Sequence, residues 1–321
     1  MVQMVQESIT DYYSFVDTIT EIVQKRMGEE YSVKIYKVTK NNSLELDSLV
    51  VLKNGENYAP NIYLLPYYEA YVEGTSVMEL GERLCAIYRN CVLPIADNNF
   101  SYSYEEMKPY IIYRLVSFDR NQKLLDKIPH IIYLDLAITF HCLVRDDEDG
   151  IGTIRITNDH MKAWKTSLKE LQILAVDNTK RLFPDSIRSM DEVIRSMFEE
   201  ELKNNCEEAV NDEVFNQLLL NTTSANQHKM YILSNQKGIN GAACLLYKNV
   251  LHDFADIIQS DLYILPSSIH EVILVKASKS LDRDALLNMV SDVNQTQVPE
   301  EEILSNHVYL YSLNNNSISV L

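Results

Sequence analysis

Leu136-Ala-Ile-Thr-Phe-His-Cys-Leu-Val144 runs into Arg145-Asp-Asp-Glu-Asp-Gly150 and then into Ile151-Gly-Thr-Ile-Arg-Ile156. Leu136, Ile138, Phe140, Cys142 and Val144 recur at a period of two, which places them on one face of a strand. The acidic, glycine-ended turn at 146–150 sends the chain back into a partner strand at 151–156, so the pair reads as an antiparallel hairpin. Asp135 and His141 interrupt an otherwise apolar run from Ile131 to Val144. The run is too short for a membrane-crossing helix, which needs ~18 apolar residues or more. His141 points away from the core face with Thr139 and Arg145, where a solvated or hydrogen-bonded imidazole is expected, the alternative being a residue that lines a groove on the second face.

Downstream of the hairpin, helices are expected over Asn158–Trp164 and Ser167–Leu182. Ser167 and Glu170 form a capping box, and Pro184 ends the second helix. Asn178 falls on its apolar stripe of Leu171, Leu174, Ala175 and Leu182. A buried amide left without partners costs about 1–3 kcal/mol. Asn178 is therefore either a structural amide or a polar anchor in a pocket. A charged helix is expected over 186–203. Upstream, Tyr110–Val116 reads as a strand and Asn121–Lys127 as a short helix.

The first ninety residues read α-β-β-β-α. The third strand is stopped by Pro66, and the last helix opens at Ser76 with a capping box to Glu79. The pattern weakens over 204–228. Beyond it come strands at Met230–Leu233 and Ala242–Tyr247, a helix at 250–259, and strands at Leu262–Leu265 and Glu271–Val275. A helix at 282–293 and a closing strand at Val308–Leu313 complete the chain. Hairpins outnumber crossovers, so the expected class is α+β: short antiparallel sheets packed against helices. Two domains are expected, 1–204 and 229–321, joined by a linker at 205–228.

Acidic residues outnumber basic ones 46 to 29, a net charge of −17. Phosphate-binding surfaces need clustered Lys and Arg, so direct nucleic-acid binding and docking on an anionic membrane are both disfavoured. The stretch Met1–Glu7 has neither the basic nor the apolar region of a signal peptide, and a cytoplasmic location is expected. The five cysteines contain no CxxC pair, which removes the zinc-ribbon motif and favours reduced, buried thiols.

The sharpest chemical cluster is Ser267-Ser268-Ile269-His270-Glu271, at a break between two apolar strands. It offers a hydroxyl, an imidazole and a carboxylate on a loop held by rigid elements. Adjacent strand residues point to opposite faces, however, so neighbours in sequence rarely form a triad. The HExxH zinc pattern fails because Leu274 stands where the second histidine belongs. A calcium loop fails because Arg145 and Ile156 occupy its first and last ligand positions. Lys237-Gly-Ile-Asn-Gly241 carries a GxxG that reads as a turn. P-loop, GxGxxG and GxSxG patterns are absent. No catalytic residue, metal or cofactor is assigned.

Ser267, Ser268, His270, Glu271 and Asn178 are thus candidates for a ligand or partner site. The expected function is a non-catalytic, cytoplasmic protein-binding or regulatory protein, and 20 tyrosines suit an interface. The alternatives are a hydrolase-type enzyme using the 267–271 loop and an acidic DNA mimic that occupies a DNA-binding protein.

Several stretches are familiar together. They are Met230-Tyr-Ile-Leu-Ser-Asn235 with Gly241-Ala-Ala, Asp261-Leu-Tyr-Ile-Leu-Pro-Ser-Ser-Ile-His-Glu271, Ile128-Pro-His130 running into Asp135-Leu, and Met289-Val290 through Asn294 to Leu304-Ser305. They resemble an uncharacterised bacterial family known only as a domain of unknown function, over most of residues 110–313. The block 135–180 more weakly resembles a second uncharacterised bacterial family. The resemblance implies a bacterial cytoplasmic protein and no mechanism.

Overall fold

The structure, a computed structural model, describes residues 11–55, 61–90, 103–147, 150–205, 229–266, 268–278 and 281–321. The chain divides into two compact units, Met1–Phe100 and Ser101–Leu321.

In the first unit, α1 (Tyr12–Met27) is capped by Asp11, whose carboxylate accepts from Ser14 N. Strands β1 (Tyr31–Thr39), β2 (Glu45–Lys53) and β3 (Ile62–Tyr63) form an antiparallel sheet in that order. Pro66 does not simply end β3. It sits in the first turn of a further helix, α2 (Leu65–Val72), where a missing N–H goes unneeded. Helix α3 (Val77–Asn90) follows. Its Val77, Leu80 and Leu84 close a core with Phe15, Ile19 and Val23 of α1 and Leu49 of β2.

The second unit opens with α4 (Tyr104–Met107), β4 (Ile111–Ser117) and α5 (Gln122–Leu125). Strands β5 (His130–Tyr133), β6 (Leu136–Asp147) and β7 (Gly150–Arg155) follow. Then come α6 (Asn158–Trp164), α7 (Leu168–Leu182), β8 (Asp185–Ser189) and α8 (Met190–Asn205). After β9 (Met230–Asn235) a 3₁₀ segment, Gly241–Leu246, leads to α9 (Val250–Ile258), β10 (Leu262–Leu265) and β11 (Val272–Lys276). Helix α10 (Arg283–Thr296) and the hairpin β12 (Tyr309–Ser312) and β13 (Ser317–Val320) close the chain.

The hairpin read from Leu136 to Ile156 is present as β6 and β7, with Glu148 and Asp149 of its turn outside the described residues. Both β4 and β5 add to β6. The second sheet has the order β13-β12-β10-β11-β9-β8. One core joins the two: Ile138, Phe140 and Cys142 of β6 meet Leu233, Ile264 and Leu274, with Leu171 and Ala175 of α7. The far face of the six-stranded sheet is covered by Leu286 and Val290 of α10. The class is α+β, and every strand pairing among the described residues is antiparallel. No described helix is long and apolar enough to cross a membrane.

Two expectations shift. The helix expected over 186–203 begins only at Met190, because residues 185–189 pair with β9. The strand expected at Ala242–Tyr247 is a 3₁₀ segment, whose small side chains let backbone enter the core. The linker expected at 205–228 lies, apart from residue 205, outside the described residues. Strands on both of its sides share one sheet, and the division between units falls at residue 100, where one closed core gives way to another.

Candidate functional site

The turn between β10 and β11 carries the sequence cluster. Ser267 lies outside the described residues. The Ser268 hydroxyl accepts from His270 N at 3.0 Å, and Ser268 N donates to Glu271 O at 3.3 Å. The imidazole Nδ1 of His270 accepts from Asn240 N at 3.2 Å, which puts the ring proton of the neutral form on Nε2. That nitrogen faces Glu302 Oε1 at 3.4 Å. Ser234 Oγ donates to the His270 carbonyl at 2.8 Å, and Ala242 N donates to the Ile269 carbonyl. A Cβ on Gly241 would lie 2.4 Å from His270 O and 2.1 Å from Ser234 Oγ, so only glycine passes under this turn. Ser268 and His270 are thus near one another without being poised for base-assisted attack, since the imidazole is turned to Asn240 and Glu302.

Asn178 lies apart from this turn. Its Nδ2 donates to Lys108 O at 2.7 Å and to Ile111 O at 3.1 Å, and its Oδ1 accepts from Arg181. The next residue, Thr179, accepts from Tyr113 N through its hydroxyl at 3.0 Å. Together they satisfy the outer edge of β4.

A polar knot that sequence reasoning did not single out as a site gathers around Asp135. Its Oδ2 accepts from Ser305 Oγ at 2.6 Å and lies 3.1 Å from His307 Nδ1, while Oδ1 accepts from Tyr309 OH at 2.7 Å. Asn294 Nδ2 donates to Ser305 O at 2.8 Å. Serine, histidine and aspartate meet here, but Ser305 donates to the carboxylate directly, so the imidazole is not interposed as a general base would be. Asp135 stands in the two-residue loop of the β5–β6 hairpin, after Leu134 at φ +56°. Its bonds fasten that loop to the approach to β12. The interruption of an apolar run by one aspartate was the available signal.

Glu271 leads to two open grooves beside β8. It lines a groove of about 380 Å3 with Ser186 and Arg188 of β8, and with Ile232, Ser234 and Lys237. Asp185, Ile187 and Ser189 line a second groove of about 460 Å3 with Tyr231, Phe254 and Ile257. Side chains alternate along a strand, so the two grooves lie on opposite faces of β8, which forms one edge of the six-stranded sheet. Gln236 N donates to Pro184 O. In an antiparallel ladder the bonded pairs alternate, so Ser186 and Arg188 turn their backbone groups to β9, and Asp185, Ile187 and Ser189 turn theirs outward. Ser189 N follows this rule: it donates to Glu192 Oε2 at 2.8 Å, opening α8. Sequence reasoning missed this strand because five residues after Pro184 are too few to display a period.

A family described as a family of unknown function, DUF5688, matches residues 12–313 of the chain. No curated protein matches it, and no solved structure does.

Proposed function

We propose that this chain, which belongs to the family of unknown function DUF5688, is a non-catalytic protein-binding protein that takes an extended segment of a partner protein along the outer edge of β8. The observation that carries the reading is an edge strand with outward-turned backbone groups and a groove on each of its two faces. A segment added as a further strand gains affinity from main-chain hydrogen bonds and specificity from alternate side chains. Both grooves mix apolar and charged side chains: the larger one combines Ile187, Tyr231, Phe254 and Ile257 with Lys180, Asp185, Glu192, Lys229 and Asp253, and the smaller one combines Val193 and Ile232 with Arg188, Lys237 and Glu271. The favoured segment therefore carries apolar and charged side chains on each of its two faces. Ile257 is 78% exposed, an apolar surface that a partner would cover.

A reducing compartment such as the bacterial cytoplasm suits this reading. Cys85, Cys142 and Cys244 are buried free thiols, and burial pushes Cys142 and Cys244 up to about 12. The net charge of −17 weighs against a nucleic acid as the partner.

The test captures partners with the tagged full chain and then measures each against two variants. Ile187→Pro removes an N–H that does not serve β9, a position where an edge strand tolerates proline. Ile257→Glu places a charge at an exposed position with little effect on stability. The expected result is a direct partner whose affinity falls at least about tenfold in both, with amide exchange at 185–189 slowed on binding. A partner indifferent to both substitutions, or no direct partner, overturns the reading.

A further inference from the structure

The face of the β4–β6–β7 sheet opposite the main core carries an island of positive charge. Register places Arg114 beside Thr139, His141 beside Arg155, and Leu143 beside Thr153. All of them project away from Ile138, Phe140 and Cys142. Apolar patches flank the island: Ile112, Leu143 and Phe183 on one side, and Val116, Leu124 and Ala137 on the other. Arg114 reaches across β6, and its Nη2 donates to Thr153 Oγ1 at 2.9 Å. Thr139 is 2% and His141 5% exposed, and they form the floor. Arg114, Thr153 and Arg155 are half-buried around it.

Two nitrogens in this island are shielded from solvent and have no hydrogen-bond partner among the described residues: Arg114 Nε and His141 Nδ1. The other ring nitrogen, Nε2, lies 3.2 Å from Thr139 Oγ1. With the Thr139 hydroxyl donating to Nε2, the ring proton resides on Nδ1, and both orphans become N–H donors. Every influence on these two side chains opposes positive charge. Burial, then Arg155, pushes Arg114 down to about 10. Burial, then Arg114 and Arg155, holds His141 well below its ordinary value. Removing a guanidinium from water without compensation is expensive, and buried charges are as a rule paired. A chain with 46 carboxylate side chains has nonetheless set this one against hydroxyls, an imidazole and a second arginine.

We propose that Arg114, His141 and Thr139, with Arg155 beside them, bind a small oxyanion, the phosphate or carboxylate group of a soluble ligand. A guanidinium offers planar, charge-assisted N–H donors matched to such a group. The His141 Nδ1–H supplies a further donor from the floor, and the threonine hydroxyl holds that tautomer in place.

The test is thermal melting of the full chain in chloride buffer with added inorganic phosphate, sodium acetate, or sodium chloride at matched ionic strength. Wild type should rise by about 3 °C or more with one oxyanion, saturably, and not with chloride. Phosphate and acetate separate the two ligand types. Arg114→Met should melt at or above wild type in chloride alone, because an uncompensated charge is replaced by an apolar side chain, and should lose the oxyanion response. Thr139→Val, of the same shape, should weaken that response and serves if the first variant does not fold. Absence of any oxyanion response in wild type, or an unchanged response in the variants, overturns the proposal. So does a fall in Arg114→Met stability that is equal in every buffer, since that marks a purely structural arginine.

Discussion

Asp135 and His141, two polar residues within one apolar run, meet burial in opposite ways. The carboxylate of Asp135 is surrounded by three donor side chains, so its charge is put to use as a fastener. His141 has one polar neighbour at Nε2 and two arginines near it, so it stays neutral. This sets a pH dependence. The unfolded imidazole titrates near 6.5 and the folded one well below that, so between those values the unfolded chain binds the extra proton. Stability is therefore full above about pH 6.5 and falls as pH drops below it, with a slope approaching about 1.4 kcal/mol per pH unit. Urea unfolding in chloride buffer at a series of pH values between 7.5 and 5 should show this fall, and His141→Gln should flatten it. An identical slope in the variant would mean that other groups carry the acid sensitivity.

At the level of the element, an unpaired strand edge must be sealed or used. Helix α7 seals β4. Residues 111 and 113 turn backbone groups to the outer edge, and Asn178 and Thr179, adjacent on one helical turn, meet them. Asn178→Leu should leave the carbonyls of Lys108 and Ile111 without their partner and lower stability by about 2 kcal/mol in chemical denaturation. A change below about 0.5 kcal/mol would show that solvent takes over those bonds. Strand β8 is the contrasting case: among the described residues, its outer side is met at Ser189 N by Glu192 of the helix that follows, and Asp185 and Ile187 turn their backbone groups to a groove. The 3₁₀ segment follows a third logic, in which Gly241 passes beneath the His270 turn where no Cβ fits. Its composition, Gly-Ala-Ala-Cys-Leu-Leu, is as apolar as a strand, and local pattern does not distinguish the two.

For the whole molecule, the division at residue 100 follows from where cores close. Phe15, Ile19, Leu49, Leu80 and Leu84 pack among themselves, whereas residues from Met107 to Tyr311 share one cluster across two sheets. A chain reduced to residues 101–321 should therefore keep a cooperative calorimetric unfolding transition. A broad, non-cooperative melt of that fragment would show that the first unit is needed to hold the second together.

Periodicity and capping chemistry are local, and they carried far. Alternation from Leu136 to Val144 announced β6 and its hairpin, Ser167 with Glu170 announced α7, and the helix expected at 250–259 is α9. Turn residues between them were enough for the α+β class. Pairings between distant segments leave no such mark. Strand β8 is a strand because β9 lies beside it, 45 residues further on by the Asp185 to Met230 spacing. Ser268 and His270 were visible as chemistry, yet the His270 imidazole meets Asn240 and Glu302, which no spacing rule connects to it. Arg114 and Arg155 stand on different strands and become one charged island only when β4 and β7 flank β6. Local patterns report the preferences of a few neighbouring residues, whereas a site is built where the packed chain brings remote ones within hydrogen-bonding distance.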